Sequence, residues 1–252
     1  MRRVVGWLLV GCVLFGGFGL LGGCGEKAQP EQREAVMLPQ VPYIYQRERY
    51  PTGCESVSAV MALRFMGYDI TVDQFLDECL PQGTSPHYVN GELVGCDPYE
   101  KFPGDPRTTR GWGCFAPVIE KASAKVAGDG VTALYGVSLE VLCETYIRRG
   151  IPVIVWATGG MQEPVFHCRW QADTGRQVEW YTPMHCLLLV GFDEEYYYFH
   201  DPQVAAYTGY PKEMCRVAYE RMGAQAVTIA SHPQAGEGET KQDAKRGAEN
   251  AP

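Results

Sequence analysis

The chain is 252 residues long, 46% hydrophobic, and carries a formal net charge of −8. That length holds one large domain or two small ones and can bury a core without disulfide or metal staples. An acidic balance with no cluster of lysine and arginine excludes nucleic acid and other polyanions as partners.

The first residues stand apart from the fold. Arg2 and Arg3 precede an apolar run from Val4 to Leu21, and no charge follows until Glu26, which is the layout of an export signal. The run ends Leu21-Gly22-Gly23-Cys24 and resembles a bacterial lipobox, where small residues permit cleavage before a cysteine that is then acylated. Residues 1–23 are therefore expected to be a lipoprotein signal peptide, with Cys24 as the lipidation site and 24–36 as a flexible tether. An uncleaved membrane helix or an ordinary signal cut nearby is the alternative. Against the helix stand five glycines between Gly16 and Gly23. At the other end, 232–252 contains no large apolar residue and cannot offset its own ordering entropy, so a disordered tail is expected.

Between these segments lies one domain, 37–231, without repeats or an internal linker. Ser56 to Met66 holds a single charge, Arg64, and stops before Gly67, which suits a helix surrounded by protein. Thr71-Val-Asp-Gln74 spells a capping box, and Val72, Phe75, Leu76, Cys79 and Leu80 share one helical face behind it. Residues 81–113 are rich in glycine and proline and lack a period, so they form a long loop and a candidate cleft wall. Ala116 to Val126 and Leu139 to Arg149 are further helices. The period then changes: IPVIVWAT (151–158), HCLLLVGF (185–192), YYYFHD (196–201) and AVTIA (226–230) are short, β-branched or aromatic, and separated by turns. Helices followed by antiparallel strands predict an α+β domain.

Ten cysteines in an exported chain suggest disulfides. With Cys12 removed, Cys24 acylated and Cys54 free, the rest cannot all pair, and Cys79, Cys143 and Cys186 sit on apolar faces as small buried hydrophobes. No C-x-x-C pair occurs, so no metal and no other cofactor is expected.

Cys54 follows Pro51-Thr52-Gly53 at the head of the first helix, where unpaired N–H groups favour a thiolate. Glu55 opposes that charge. A base is available at the mouth of an apolar strand, His185; His87, His167 and His232 read as bystanders. If the strands of 185–192 and 196–201 pair around the odd loop Asp193-Glu194-Glu195, His185 and Asp201 share a face and His200 points away, whereas an even loop would swap these roles. Asp201 then holds one ring nitrogen and leaves the other for the thiol.

These residues, in the runs VPYIYQ (41–46), YPTGCESVSAVMAL (50–63), GDPRTTRGWGCFAPVI (104–119), IPVIVWAT, MHCLLLVGFD (184–193) and YYYFHDP (196–202), resemble the papain-fold cysteine peptidases of the C-thirty-nine-like branch, related to bacteriocin-processing peptidases. The resemblance implies a papain-like α+β fold, with the Cys-bearing helix packed on an antiparallel sheet. It also implies Cys54 as nucleophile, His185 as general base and acid, Asp201 as its orienter and Gln46 as an oxyanion-hole side chain. The expected partners are a peptide or protein substrate and, through Cys24, the outer face of a bacterial membrane. A papain-like amidase or transferase on cell-wall peptides, and a non-catalytic binding lipoprotein, are the competing functions.

Overall fold

The nearly uncharged run after Gly53 becomes helix α1 (Cys54–Phe65), starting two residues before its expected position. The computed structural model describes residues 35–232. Cys54 to Leu63 are all buried, so the helix is covered on every side, as its lack of an amphipathic stripe requires. The expected signal peptide, Cys24 as the expected lipidation site, and the expected tail beyond His232 lie outside the described residues. Two expected boundaries move. Val36, assigned to the tether, is already in strand β1 (Val36–Met37). His232, assigned to the tail, donates its N–H to the Met66 carbonyl at 2.8 Å and packs its ring on Tyr68.

The Thr71/Gln74 capping box forms, but helix α2 (Val72–Gln74) lasts one turn before widening into a π-helical turn, Phe75–Cys79. Val72, Phe75, Leu76, Cys79 and Leu80 are nonetheless buried together. The supposed long loop contains short strands: β2 (Gln82–Gly83) runs parallel to β5 (Phe102–Pro103), and β3 (His87–Val89) pairs antiparallel with β4 (Glu92–Gly95). Helix α3 (Ala116–Ala127) follows, with Pro117 in its first turn. Helix α4 (Leu139–Thr145) is capped by Ser138 and stops short of Arg149, the remainder being a tighter turn, Ile147–Arg149.

The main sheet collects β6 (Val131–Tyr135), β7 (Val153–Thr158), β10 (Met184–Phe192), β11 (Tyr196–His200), β12 (Thr208–Pro211) and β13 (Gln225–Ile229). Their order is β12-β11-β10-β7-β13-β6, with β1 on β10. All its pairs are antiparallel; the domain is α+β. Helix α1 packs on β10, β7 and α3, while α5 (Lys212–Arg221) packs on β7, β11 and β12. A hairpin not foreseen in the sequence, β8 (Val165–Ala172) and β9 (Gln177–Thr182), joins β3 and β4 in a second sheet. Its inner Trp170 and Trp180 surround Trp112, at 5.4 and 5.7 Å between ring centres, and so clamp the 104–115 segment.

The β10–β11 turn is even, not odd. Phe192 pairs with Tyr197, and the Asp193 N–H donates to the Tyr196 carbonyl at 3.0 Å, leaving Glu194 and Glu195 at the tip. Alone, this register would set His185 and Asp201 on opposite faces. A β-bulge reverses that, because Leu189 pairs with Phe199 but Gly191 with Tyr198, which makes Val190 the extra residue. Below the bulge Leu188 lies opposite His200, and His185 and Asp201 return to one face. Strand β1 fixes the bulge: the Leu38 N–H takes the Val190 carbonyl at 2.8 Å, and a side chain at Gly191 would meet the Val36 carbonyl at 2.7 Å.

One buried side chain couples the sheet to α3. Gln225 of β13 accepts the Ala116 N–H at 2.9 Å and donates to the Met222 carbonyl at 2.8 Å. Replacing it leaves a buried helix N–H unpaired, so Gln225→Leu should lower the unfolding free energy in urea by about 1–3 kcal/mol; an unchanged midpoint would show that α3 is held by packing alone.

Candidate active site

The turn before α1 sets the thiol. The Gly53 N–H closes onto the Tyr50 carbonyl at 2.9 Å, while Thr52 reaches across to the 104–115 segment, donating its N–H to Pro106 at 3.3 Å and its hydroxyl to Thr108 at 3.0 Å. Gly53 eases this approach, since a Cβ there would crowd Tyr50 Cβ at 3.0 Å and Pro106 Cβ at 3.3 Å. Cys54 is the first residue of the helix, as its N-terminal dipole argument requires, yet it is buried. Burial pushes its thiol well above the ordinary value and the neighbouring Glu55 carboxylate pushes it further, against a smaller lowering from the Cys186 backbone. The expected low thiol pKa is therefore absent from the resting site, because desolvation outweighs one helix terminus.

His185 and Asp201 meet. His185 Nε2 lies 2.8 Å from Asp201 Oδ1, both residues being buried. Burial raises the Asp201 carboxyl, but His185, the Gln203 N–H and the Tyr210 hydroxyl outweigh it and hold the group below the usual carboxylate range. Tyr210 donates to Oδ2 at 2.9 Å and Gln203 N–H to Oδ1 at 2.9 Å. Tyr43 donates to the Asp201 backbone carbonyl at 3.0 Å. With Nε2 committed, Nδ1 of His185 is buried and has no hydrogen-bond partner among the described residues.

The thiol is not hydrogen-bonded to His185 in this state. Cys54 Sγ donates to Glu55 Oε2 at 3.3 Å, and Glu55 Oε1 accepts the Cys114 N–H at 2.8 Å. Burial lifts the Glu55 carboxyl to about 7. Helix α1 nevertheless docks beside the histidine, since Ser58 donates to the carbonyl of Cys186, the next residue on β10, at 3.3 Å.

Gln46 bridges the two halves of the site. Its N–H donates to the Pro202 carbonyl at 2.9 Å, beside Asp201, and its side-chain amide donates to Pro51 at 3.3 Å, beside Cys54. The side chain is fully buried, with Oε1 unpaired. A groove of about 670 Å³ opens along the 104–112 segment, walled by Ser85, Asp105, Thr108, Arg110 and Trp112.

Glu55, Tyr43, Tyr210 and the Trp112 clamp were missed as site residues. An acid at the start of a helix otherwise lined with small and apolar residues was the available signal for Glu55; the tyrosines gave none, as their partners lie far away in sequence. No cysteine among the described residues is in a disulfide, and no group of three His, Cys, Asp or Glu there could hold a metal ion. Among the same residues, no helix is long and apolar enough to cross a membrane.

Residues 38–227 match the model of the Peptidase_C39 like family. The uncharacterized protein YvpB of Bacillus subtilis (strain 168) is 30% identical over 182 residues, 72% of this chain and 70% of the relative. Among solved structures, the crystal structure of a candidate C39-like peptidase from Bacillus anthracis matches with a TM-score of 0.69 at 25% identity, covering 79% of this chain and 98% of the other.

His200, next to Asp201, points away from His185 and stands edge-on to Tyr43 and Tyr207, at 5.6 and 4.5 Å between ring centres. Neither ring nitrogen makes a hydrogen bond of ordinary geometry, although the Pro42 carbonyl is near enough to act on it. Burial holds its pKa below the usual value, so the unfolded chain takes up a proton before the folded one does. The stability that a neutral His200 allows is complete above about pH 6.5 and is lost as pH falls towards the lower folded value. Urea unfolding at about pH 7.5 and 5.5 should show a smaller loss on acidification for His200→Phe than for the wild type; equal losses would remove His200 as the cause.

Proposed function

The chain belongs to the peptidase C39-like family, and from that premise we propose that it is a papain-like cysteine peptidase acting by acyl transfer through Cys54, His185, Asp201 and Gln46. The observation that carries the proposal is the buried His185–Asp201 contact at 2.8 Å, which leaves Nδ1 as the open nitrogen of a ring adjacent to Cys186, whose carbonyl takes the Ser58 hydroxyl of the helix that begins at Cys54.

The chemistry runs in two halves. As a peptide carbonyl comes into line, His185 Nδ1 takes the Cys54 proton, and the sulfur attacks the carbonyl carbon. Asp201, kept ionised by its donors, holds the ring by Nε2 and stabilises the imidazolium. The developing oxyanion takes the Cys54 backbone N–H, free because it stands at the first turn of α1, together with an amide hydrogen of Gln46. His185 then protonates the leaving amine. In the second half it draws a proton from water, which attacks the thioester and returns Cys54 to the thiol. The raised resting thiol is compatible with this order: the proton moves only when the substrate is engaged, so no standing thiolate is required.

Export is part of the same proposal. The Arg2-Arg3 start, the apolar run and Leu21-Gly22-Gly23-Cys24 support a lipid anchor on Cys24 and a site of action on the outer face of a bacterial membrane. Peptides or proteins outside the membrane are then the substrates.

Turnover of a quenched fluorescent peptide library tests the reading. Cys54→Ala should abolish it, and Gln46→Ala should lower kcat by about 100-fold or more with the fold intact, the usual loss for one oxyanion donor. Activity that survives Cys54→Ala would end the proposal, and unchanged turnover in Gln46→Ala would remove Gln46 from the site.

A further inference from the structure

The acyl-transfer scheme gives Glu55 no task, although its carboxyl touches the nucleophile. Oε1 accepts the Cys114 N–H at 2.8 Å, Oε2 lies 3.3 Å from Cys54 Sγ, and the residue has no solvent exposure. An oxygen that accepts an amide hydrogen has no room for a proton on the same side. A neutral Glu55 therefore carries its proton on Oε2, aimed at the sulfur. The carboxyl is also confined, because a Cβ at Gly113 would lie 2.7 Å from Oε1 and would overlap Met184 Cε.

The two protonation states do opposite things to the thiol. Ionised, Glu55 accepts the S–H proton and places a negative charge beside any thiolate that forms. Neutral, it offers that thiolate an O–H donor, a charge-assisted hydrogen bond of the strong kind. The titratable groups that face the carboxyl are Cys54 on its own helix, Cys114 ahead of α3 and Cys186 on β10. All are thiols, and none brings a positive charge that would keep Glu55 ionised.

We propose that Glu55 is a catalytic residue that works as a neutral acid, donating its Oε2 hydrogen to the Cys54 thiolate while His185 holds the proton taken from the thiol, and that ionisation of Glu55 switches the nucleophile off. The proposal rests on the acyl-transfer reading of Cys54 and deepens it. The protons balance: the thiol proton passes to His185 and on to the leaving amine, while Glu55 keeps its own throughout and the S–C bond forms without its loss. Burial places the carboxyl at about 7, so both states are populated near neutrality.

The test is the rate of Cys54 alkylation by iodoacetamide, read by mass spectrometry on the Cys54 peptide, between about pH 6 and 8 in the full chain. In the wild type the rate should fall as pH rises through about 7. Glu55→Gln keeps an acceptor for Cys114 and a donor for sulfur but cannot ionise, so it should lose that fall. The ratio of variant to wild-type rate should grow by roughly 10-fold across the interval, the change in neutral fraction of one group titrating at its centre. A wild-type rate that only rises with pH overturns the proposal, and this holds even where Glu55→Gln does not fold. A fall that persists in the variant overturns it too. His185→Ala separates the two levels. If it leaves Cys54 alkylation at about pH 6 unchanged, the acyl-transfer reading fails and takes Glu55 with it. A His185-dependent rate without the fall removes Glu55 alone.

Discussion

A carboxyl buried without a cationic partner is costly, and Glu55 is placed where two segments must meet to hold it. Its Oε1 is satisfied by the N–H of Cys114 and its Oε2 by the Cys54 thiol. This fixes the 104–115 segment against the head of α1. The rest of the site follows from that closure. Thr52 reaches Thr108, Trp170 and Trp180 hold the same segment by Trp112, and the only side chain tolerated at position 113 is none, because Met184 and Glu55 occupy the space.

Strand β10 carries the other half of the arrangement. Met184, His185 and Cys186 are consecutive, and each makes a different contact: Met184 with Gly113, His185 with Asp201, and Cys186 with Ser58 of α1. One short run, through the Cys186 backbone carbonyl and the His185 ring, thus touches both the helix that bears the thiol and the hairpin that bears the acid. Tyr210 from β12, and Tyr43 ahead of α1, then hold Asp201 from two directions. Gln46 ties the Asp201–Pro202 corner to the Pro51 turn. The site is thus stitched from segments far apart in the chain, and its geometry depends on the whole sheet being in register.

Much of the fold was legible because it rests on local rules. A helix without an amphipathic stripe had to be buried, the Thr71 capping box formed as spelled, and β-branched runs became the central strands. What escaped depended on distant partners. The β8–β9 hairpin exposes a mixture of polar residues with Val165, Phe166 and Tyr181, which blurs the alternation around its inner Trp170 and Trp180, and these pack on Trp112 from a distant segment. The placing of His185 and Asp201 on one face was expected from an odd loop; an even loop and a bulge at Val190 produce the same parity, and the bulge exists because β1 supplies a donor for its carbonyl. Gln46 was visible only through family resemblance, and the elevated thiol of Cys54 could not be anticipated because sequence position reveals the helix terminus but not the desolvation. Glu55 was seen merely as an opposing charge; the direction of its Oε2 makes it a partner.

The central claim is that one cysteine among several buried ones is a nucleophile because His185, oriented by Asp201, stands ready to take its proton. A peptidyl vinyl sulfone, which needs an activated thiol and a seated peptide together, measures this directly when its adducts are mapped by mass spectrometry. The account predicts an adduct on Cys54, lost in His185→Ala and slowed in Asp201→Asn. Labelling spread over the other cysteines, or an adduct on Cys54 that forms as fast in His185→Ala as in the wild type, would contradict it.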